Sequence, residues 1–200
     1  MKKIILSIAI VAATLGACKS SSDKSAESQN LSNSTQSISQ TDSANLTTSS
    51  STDAKNTVSV KEILNIYLEM KDAFTEDNST GAASAGKKLD ALFKNFDKSA
   101  LTPAQKKTYE NVEADAREHA EHIGANGGNI KHQREHFELL SNDIYDLIKA
   151  FGGGQVLYKD FDPMYNNGKG AFWLSETKEI KNPYMGKAML TSGSVIEEIK

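Results

Sequence analysis

The sequence contains one cysteine, Cys18, so no internal disulfide can form and the folded part must hold together by packing alone. The amino-terminal apolar run from Ile4 to Leu15 is shorter than the about 20 residues a spanning helix needs, so it does not read as a membrane anchor. The formal net charge of −3 carries no basic block, which argues against nucleic acid as a partner. There is no internal repeat and no glycine-rich phosphate loop ahead of a helix. No nucleophile motif stands out, and Glu-x-x-His, the signature of a carboxylate-bridged di-iron bundle, is absent. The chain is therefore expected not to be an enzyme.

The amino terminus carries the strongest signal. Lys2 and Lys3 precede the short apolar run, the pattern of a secretory signal consumed during export. The run ends in Leu15-Gly16-Ala17-Cys18, which resembles the lipobox of bacterial lipoproteins. That resemblance implies a signal peptide over 1–17, cleavage before Cys18, and lipidation of its sulfur. The alternative is an ordinary signal peptide that happens to contain a cysteine. Exported, with a lipid as its membrane partner, the protein belongs in the cell envelope. Lys19, where an inner-membrane retention aspartate would sit, favours the outer membrane.

About half of residues 19–56 are Ser or Thr, with no aromatic side chain, a composition that buries too little apolar surface to offset chain entropy. Residues 18–56 are accordingly expected to be a lipidated, disordered tether, and 57–200 one domain: a helical bundle over 57–152 and a cap over 153–200.

Four helical stretches carry apolar residues at three-and-four spacing. The first opens with Ser59 and Glu62 at capping-box spacing and places Ile63, Tyr67, Met70 and Phe74 on one face, widened by Leu64 and Leu68. The second starts near Asn78 or Ser79 and aligns Ala82, Ala85, Leu89, Leu92 and Phe96, with small residues early so that a neighbour can approach closely. The third has Thr102 as N-cap, Pro103 at the first helical position and Gln105 completing a box, then Tyr109, Val112, Ala116, His119 and Ile123. The fourth starts near Asn129 and carries Ile130, Phe137, Leu140, Ile144, Leu147 and Phe151 before Gly152-Gly153-Gly154. With short connections, these predict a mainly α fold, a four-helix up-and-down bundle. Beyond the glycines, three short strands are expected at 155–161, 171–174 and 195–196, with a turn at Asn167-Gly168, forming an irregular cap.

The cap contains Tyr158-Lys159-Asp160-Phe161-Asp162-Pro163-Met164, Gly170-Ala171-Phe172-Trp173-Leu174-Ser175, Ile180-Lys181-Asn182-Pro183-Tyr184-Met185-Gly186 and Met189-Leu190-Thr191-Ser192-Gly193. Upstream lies Gln133-Arg134-Glu135-His136-Phe137, followed by Leu140-Ser141. Together these closely resemble the domain of unknown function 3347 family, over essentially all of 57–200. Members of that family stand alone as small exported proteins or form carboxy-terminal modules of adaptor subunits in copper and silver efflux pumps. The resemblance implies heavy-metal binding, with Cu(I) or Ag(I) as the ion and metal-efflux components as partners. It also implies a departure, because the family pattern has cysteine where this chain has Asp162 and Ser192. Met164 and Met189 remain as soft ligands by position, and Asp162 is a harder one.

Histidine offers a further donor set. His119 and His122 are three apart, and His132 and His136 four apart, each pair on one helix face. Antiparallel packing would bring both pairs to one end of the bundle, beside Gly127-Gly128. The metal candidates are therefore Met164, Met189, Asp162, His136 and His122; packed or solvated histidines are the alternative. Met70, Trp173 and Tyr184 read as packing residues. Three functional readings follow: a metal-binding lipoprotein of copper homeostasis, an interaction module of the envelope without metal, and a zinc peptidase from the H-x-x-E-H match at His132-Gln133-Arg134-Glu135-His136.

Overall fold

The computed structural model describes residues 51–200, with side chains from Val60 onward. Cys18, the signal peptide and residues 18–50 of the expected tether lie outside the described residues.

Among the described residues there are four long helices, α1 (Ser51–Thr75), α2 (Ser79–Lys94), α3 (Pro103–Ala125) and α4 (Ile130–Phe151). Helix α1 starts earlier than its capping pattern predicts. It takes in residues 51–56, assigned by composition to the tether, and runs straight through Ser59, the expected N-cap. Once the buried turns exist, each added residue gains a backbone hydrogen bond for the ordering of one residue, so propagation overrides a weak stop. The other starts follow their local chemistry. Asn78 accepts from the Gly81 N–H, Asn129 accepts from the His132 N–H, and Thr102 forms the reciprocal box with Gln105 behind Pro103.

Each helix packs on the next, and α4 closes against α1. The result is the mainly α four-helix up-and-down bundle expected from the spacing. Ile63, Leu64, Tyr67, Met70 and Phe74 of α1 are buried against Leu89 of α2, Tyr109 and Ile123 of α3, and Phe137, Leu140, Ile144 and Leu147 of α4. Two positions differ from the expected stripe of α2. Phe93 enters the core, one turn beyond Leu89, and Leu92 is only half-buried. Phe96 lies past the helix end and stacks on Tyr109 at 4.2 Å between ring centroids. The small residues of α2 do allow close approach. A Cβ on Gly86 would lie 2.7 Å from the Ala120 carbonyl oxygen and 2.8 Å from the Gly124 nitrogen, both on α3.

The cap is an antiparallel sheet of β1 (Leu157–Asp162), β2 (Ala171–Ser175) and β3 (Ser194–Ile199) in the order β2-β1-β3. The turn expected at Asn167-Gly168 begins one residue earlier, with Asn166 and Asn167 both in the left-handed region at φ 52° and 56°. Asparagine tolerates that region better than most side chains because its short amide bonds locally. Asn166 turns its amide onto Glu138 of α4.

Polar contacts fix the cap to the bundle. Arg134 on α4 donates through Nε to the Pro183 carbonyl and through Nη2 to the Phe74 carbonyl and Asp77. Lys71 is buried and reaches Glu176 at 2.8 Å, and Tyr145 donates to Glu197 at 2.8 Å. A buried relay also crosses three elements: the Leu174 N–H donates to the Tyr67 hydroxyl, Tyr67 to Ser141, and Ser141 to the Phe137 carbonyl. Trp173 and Tyr184 are buried packing residues, as is Met70. Among the described residues, no helix is long and apolar enough to cross a membrane.

Candidate metal centre

The turn at 126–129 folds α4 back along α3 and brings all four histidines together. His122 and His136 stack with ring centroids 4.2 Å apart and planes 10° from parallel. His132 meets His136 edge-on at 4.6 Å, and His122 meets His132 at 5.8 Å. One ligand atom from each of His122, His132 and His136 lies within 4.8 Å of the others, and all three rings are half-buried. His119 closes the group from α3, its Nδ1 3.2 Å from the Nδ1 of His136.

The cluster follows from helix geometry. Three- and four-residue spacings put each pair on one helix face, and the short turn sets those faces against each other. Sequence spacing singled out His122 and His136 and left His119 and His132 out of the ligand set. His132 belongs to the convergent set. Its signal, the four-residue spacing to His136, was present in the chain.

The electrostatics favour neutral rings at His136 and His119. Burial lowers the pKa of His136 to about 4, helped by the neighbouring His122, His132 and His119, because a second positive charge there would be repelled. Burial also lowers His119, opposed in part by Glu118 and Asp115. Glu135 approaches the Nδ1 of His132 at 3.4 Å, a contact able to hold the tautomer that leaves Nε2 free. Imidazole suits copper, zinc and nickel. A tetrahedral ion at about 2.0–2.1 Å from each nitrogen spaces its donors at about 3.4 Å, so the three rings would close by roughly an ångström around it.

The candidates on the cap are placed differently. Asp162 is fully buried at the end of β1. One of its oxygens accepts the Met164 N–H at 2.8 Å, and the other accepts Asn182 Nδ2 at 2.7 Å. Both are thus committed to the protein, and Asp162 joins no convergent group of potential ligands among the described residues. Asn182 also donates to the Ser192 carbonyl at 2.9 Å, so one buried amide bridges Asp162 and Ser192. Met164 and Met189 flank this brace, 48% and 47% exposed. Their thioethers sit on loops of the cap, whereas the imidazoles come from bundle helices.

The peptidase pattern has less to recommend it in three dimensions. Gln133, within the motif, is buried and spends its amide on Ser79 and the Ile123 carbonyl, while Glu135 leans on His132. A cavity of about 610 Å³ opens on the adjacent face of α4 between Arg134, Glu138, Tyr165 and Tyr184, and none of the four histidines lines it.

No curated protein and no solved structure matches the chain. A family model described as a protein of unknown function (DUF3347) matches residues 63–155, from the second turn of the buried part of α1 to the glycines after α4. The match ends before β1, so it covers the bundle and its histidines and leaves the cap outside. Residues 63–155, just under half of the chain, are thus similar to the DUF3347 family.

Proposed function

We propose that this protein binds a transition-metal ion through imidazoles at the turn end of α3 and α4, as part of metal homeostasis at the cell envelope. His122, His132 and His136 are the ligands, and His119 orients His136. One observation carries the reading: three ring nitrogens from two helices lie within 4.8 Å of one another. Neutral nitrogen donors favour Cu(II), Zn(II) or Ni(II) over the Cu(I) or Ag(I) that a sulfur site would select. The envelope setting rests on the lipobox-like sequence at Cys18.

A second reading keeps Cu(I) or Ag(I) as the ion, and the two exposed thioethers favour it. Met164 and Met189 would then offer soft ligands at the surface, with Asp162 bracing the loop rather than coordinating. The two readings separate in one experiment. The purified protein is titrated with Zn(II) and Cu(II), and anaerobically with Cu(I), alongside the pairs His122→Ala/His136→Ala and Met164→Ala/Met189→Ala. Loss of divalent binding only in the histidine pair supports the imidazole site. Loss of Cu(I) binding only in the methionine pair supports the sulfur site. Should the folded protein bind none of these ions, both fail and a metal-free interaction module remains.

A further inference from the structure

Away from the histidines, the cap buries a carboxyl group that its surroundings do not satisfy. Asp160 lies in the central strand β1 and is fully inaccessible. Neither of its oxygens has a hydrogen-bond partner among the described residues. Its register partner on β2 is Trp173, so the two side chains share one face of the sheet. The Trp173 indole N–H is likewise buried and unpaired. Asp162, two residues on and on the same face, gives the contrast, because both of its oxygens are bonded.

The groups around Asp160 bond elsewhere. From α1, the Lys71 ammonium is held by Glu176 at 2.8 Å and Asp72 at 3.0 Å, and the Tyr67 hydroxyl is held by Leu174 and Ser141. Glu176, just past β2, adds negative charge that opposes ionisation of Asp160. From β3 the register partner is Val195, which has nothing to titrate. A carboxylate here would be a buried charge without a hydrogen bond, offset only by the charge of Lys71, and it costs more than a buried neutral acid.

We propose that Asp160 is a proton-operated latch between cap and bundle: as the neutral acid it lets β1 and β2 stay packed over α1, and on losing its proton it loosens them around Trp173. Burial raises the Asp160 pKa to about 7, with Glu176 adding to the rise and Lys71 opposing it, so the latch works near neutral pH. An envelope protein exposed to changing external pH would feel this directly. The latch is independent of metal, and it acts on the part of the chain that the family match leaves out.

Trp173 is the only tryptophan and reports on the site. Its emission in the whole protein is followed from about pH 5 to about pH 9, a range bracketing an aspartate raised to about 7. The expected result is a one-proton transition with a midpoint near 7 that disappears in Asp160→Asn. It should persist in His136→Gln and in Asp143→Asn, the latter removing a carboxyl on α4 that burial also raises to about 7. A transition unchanged in Asp160→Asn, or no transition in the native protein, overturns the proposal. If Asp160→Asn does not fold, the carboxyl carbon-13 shift of Asp160 is titrated in the native chain. A midpoint near 7 supports the latch, and one near the ordinary 3.8 overturns it.

Discussion

The Nδ1 atoms of His119 and His136 lie 3.2 Å apart across the α3–α4 interface, so one ring donates and the other accepts. With His136 as the donor, that hydrogen bond fixes the orientation of His136 and leaves the Nε2 lone pair available. His119 is therefore expected to act as a positioning residue for the imidazole site. His119→Ala should weaken Zn(II) binding by about 10- to 100-fold, the usual loss when a ligand's hydrogen-bond partner is removed. His119→Gln, which can restore the bond, should recover part of it. Competition against a chelator of known affinity measures both. Equal affinity in all three proteins would remove His119 from the site.

The depressed pKa of His136 makes a stability prediction with a definite sign. Its folded value is about 4, below the ordinary 6.5, so between those values the unfolded chain binds more protons than the native state. His136 therefore contributes stability at neutral pH that is lost progressively as the pH falls from 6.5 toward about 4. Asp160 titrates in the opposite sense over an overlapping range, so the two must be separated by mutation. In His136→Gln, measured without metal, the fall in Tm on acidification should be smaller than in the native chain. An identical pH profile would show that the ring charges without penalty.

Tyr67 ties α1 to both α4 and the cap, and removing its hydroxyl breaks two hydrogen bonds at once. Tyr67→Phe leaves the buried Leu174 N–H without its acceptor. Such a group costs about 1–3 kcal/mol, and denaturant unfolding should show a loss of that size. A change within error would mean that the relay contributes nothing to stability.

Gly86 tests the close packing of α2 on α3. In an isolated helix, Gly86→Ala would gain about 1 kcal/mol from reduced backbone entropy. Here the added methyl meets the Ala120 carbonyl and the Gly124 nitrogen, both backbone atoms that cannot swing aside. Overpacking of this kind costs about 1–3 kcal/mol, so a net loss of stability is expected. A higher unfolding midpoint would show that the helices separate easily at this point.

Much of the bundle was legible in the chain. The caps at Asn78, Thr102 and Asn129 and the stripes of α1, α3 and α4 depend on residues within a few positions of one another, and local spacing encodes them. The start of α1 was misread because capping chemistry at Ser59 competes with propagation from a helix already made, and spacing does not weigh the two. The histidine pairs were visible as pairs, yet their meeting depended on α3 and α4 being neighbours, and His132 was left out of the ligand set.

What the sequence determined by itself is the set of helices, the three short strands and the four histidines near one turn, because periodicity and capping act within a few residues. Only the tertiary structure decided that Asp162 is a brace rather than a free ligand, that Asp160 is sealed beside Trp173 without a partner, and that three imidazoles share one space. Those outcomes depend on burial and hydrogen-bond partners from distant segments such as Asn182 and α1, and distance along the chain carries no record of distance through it.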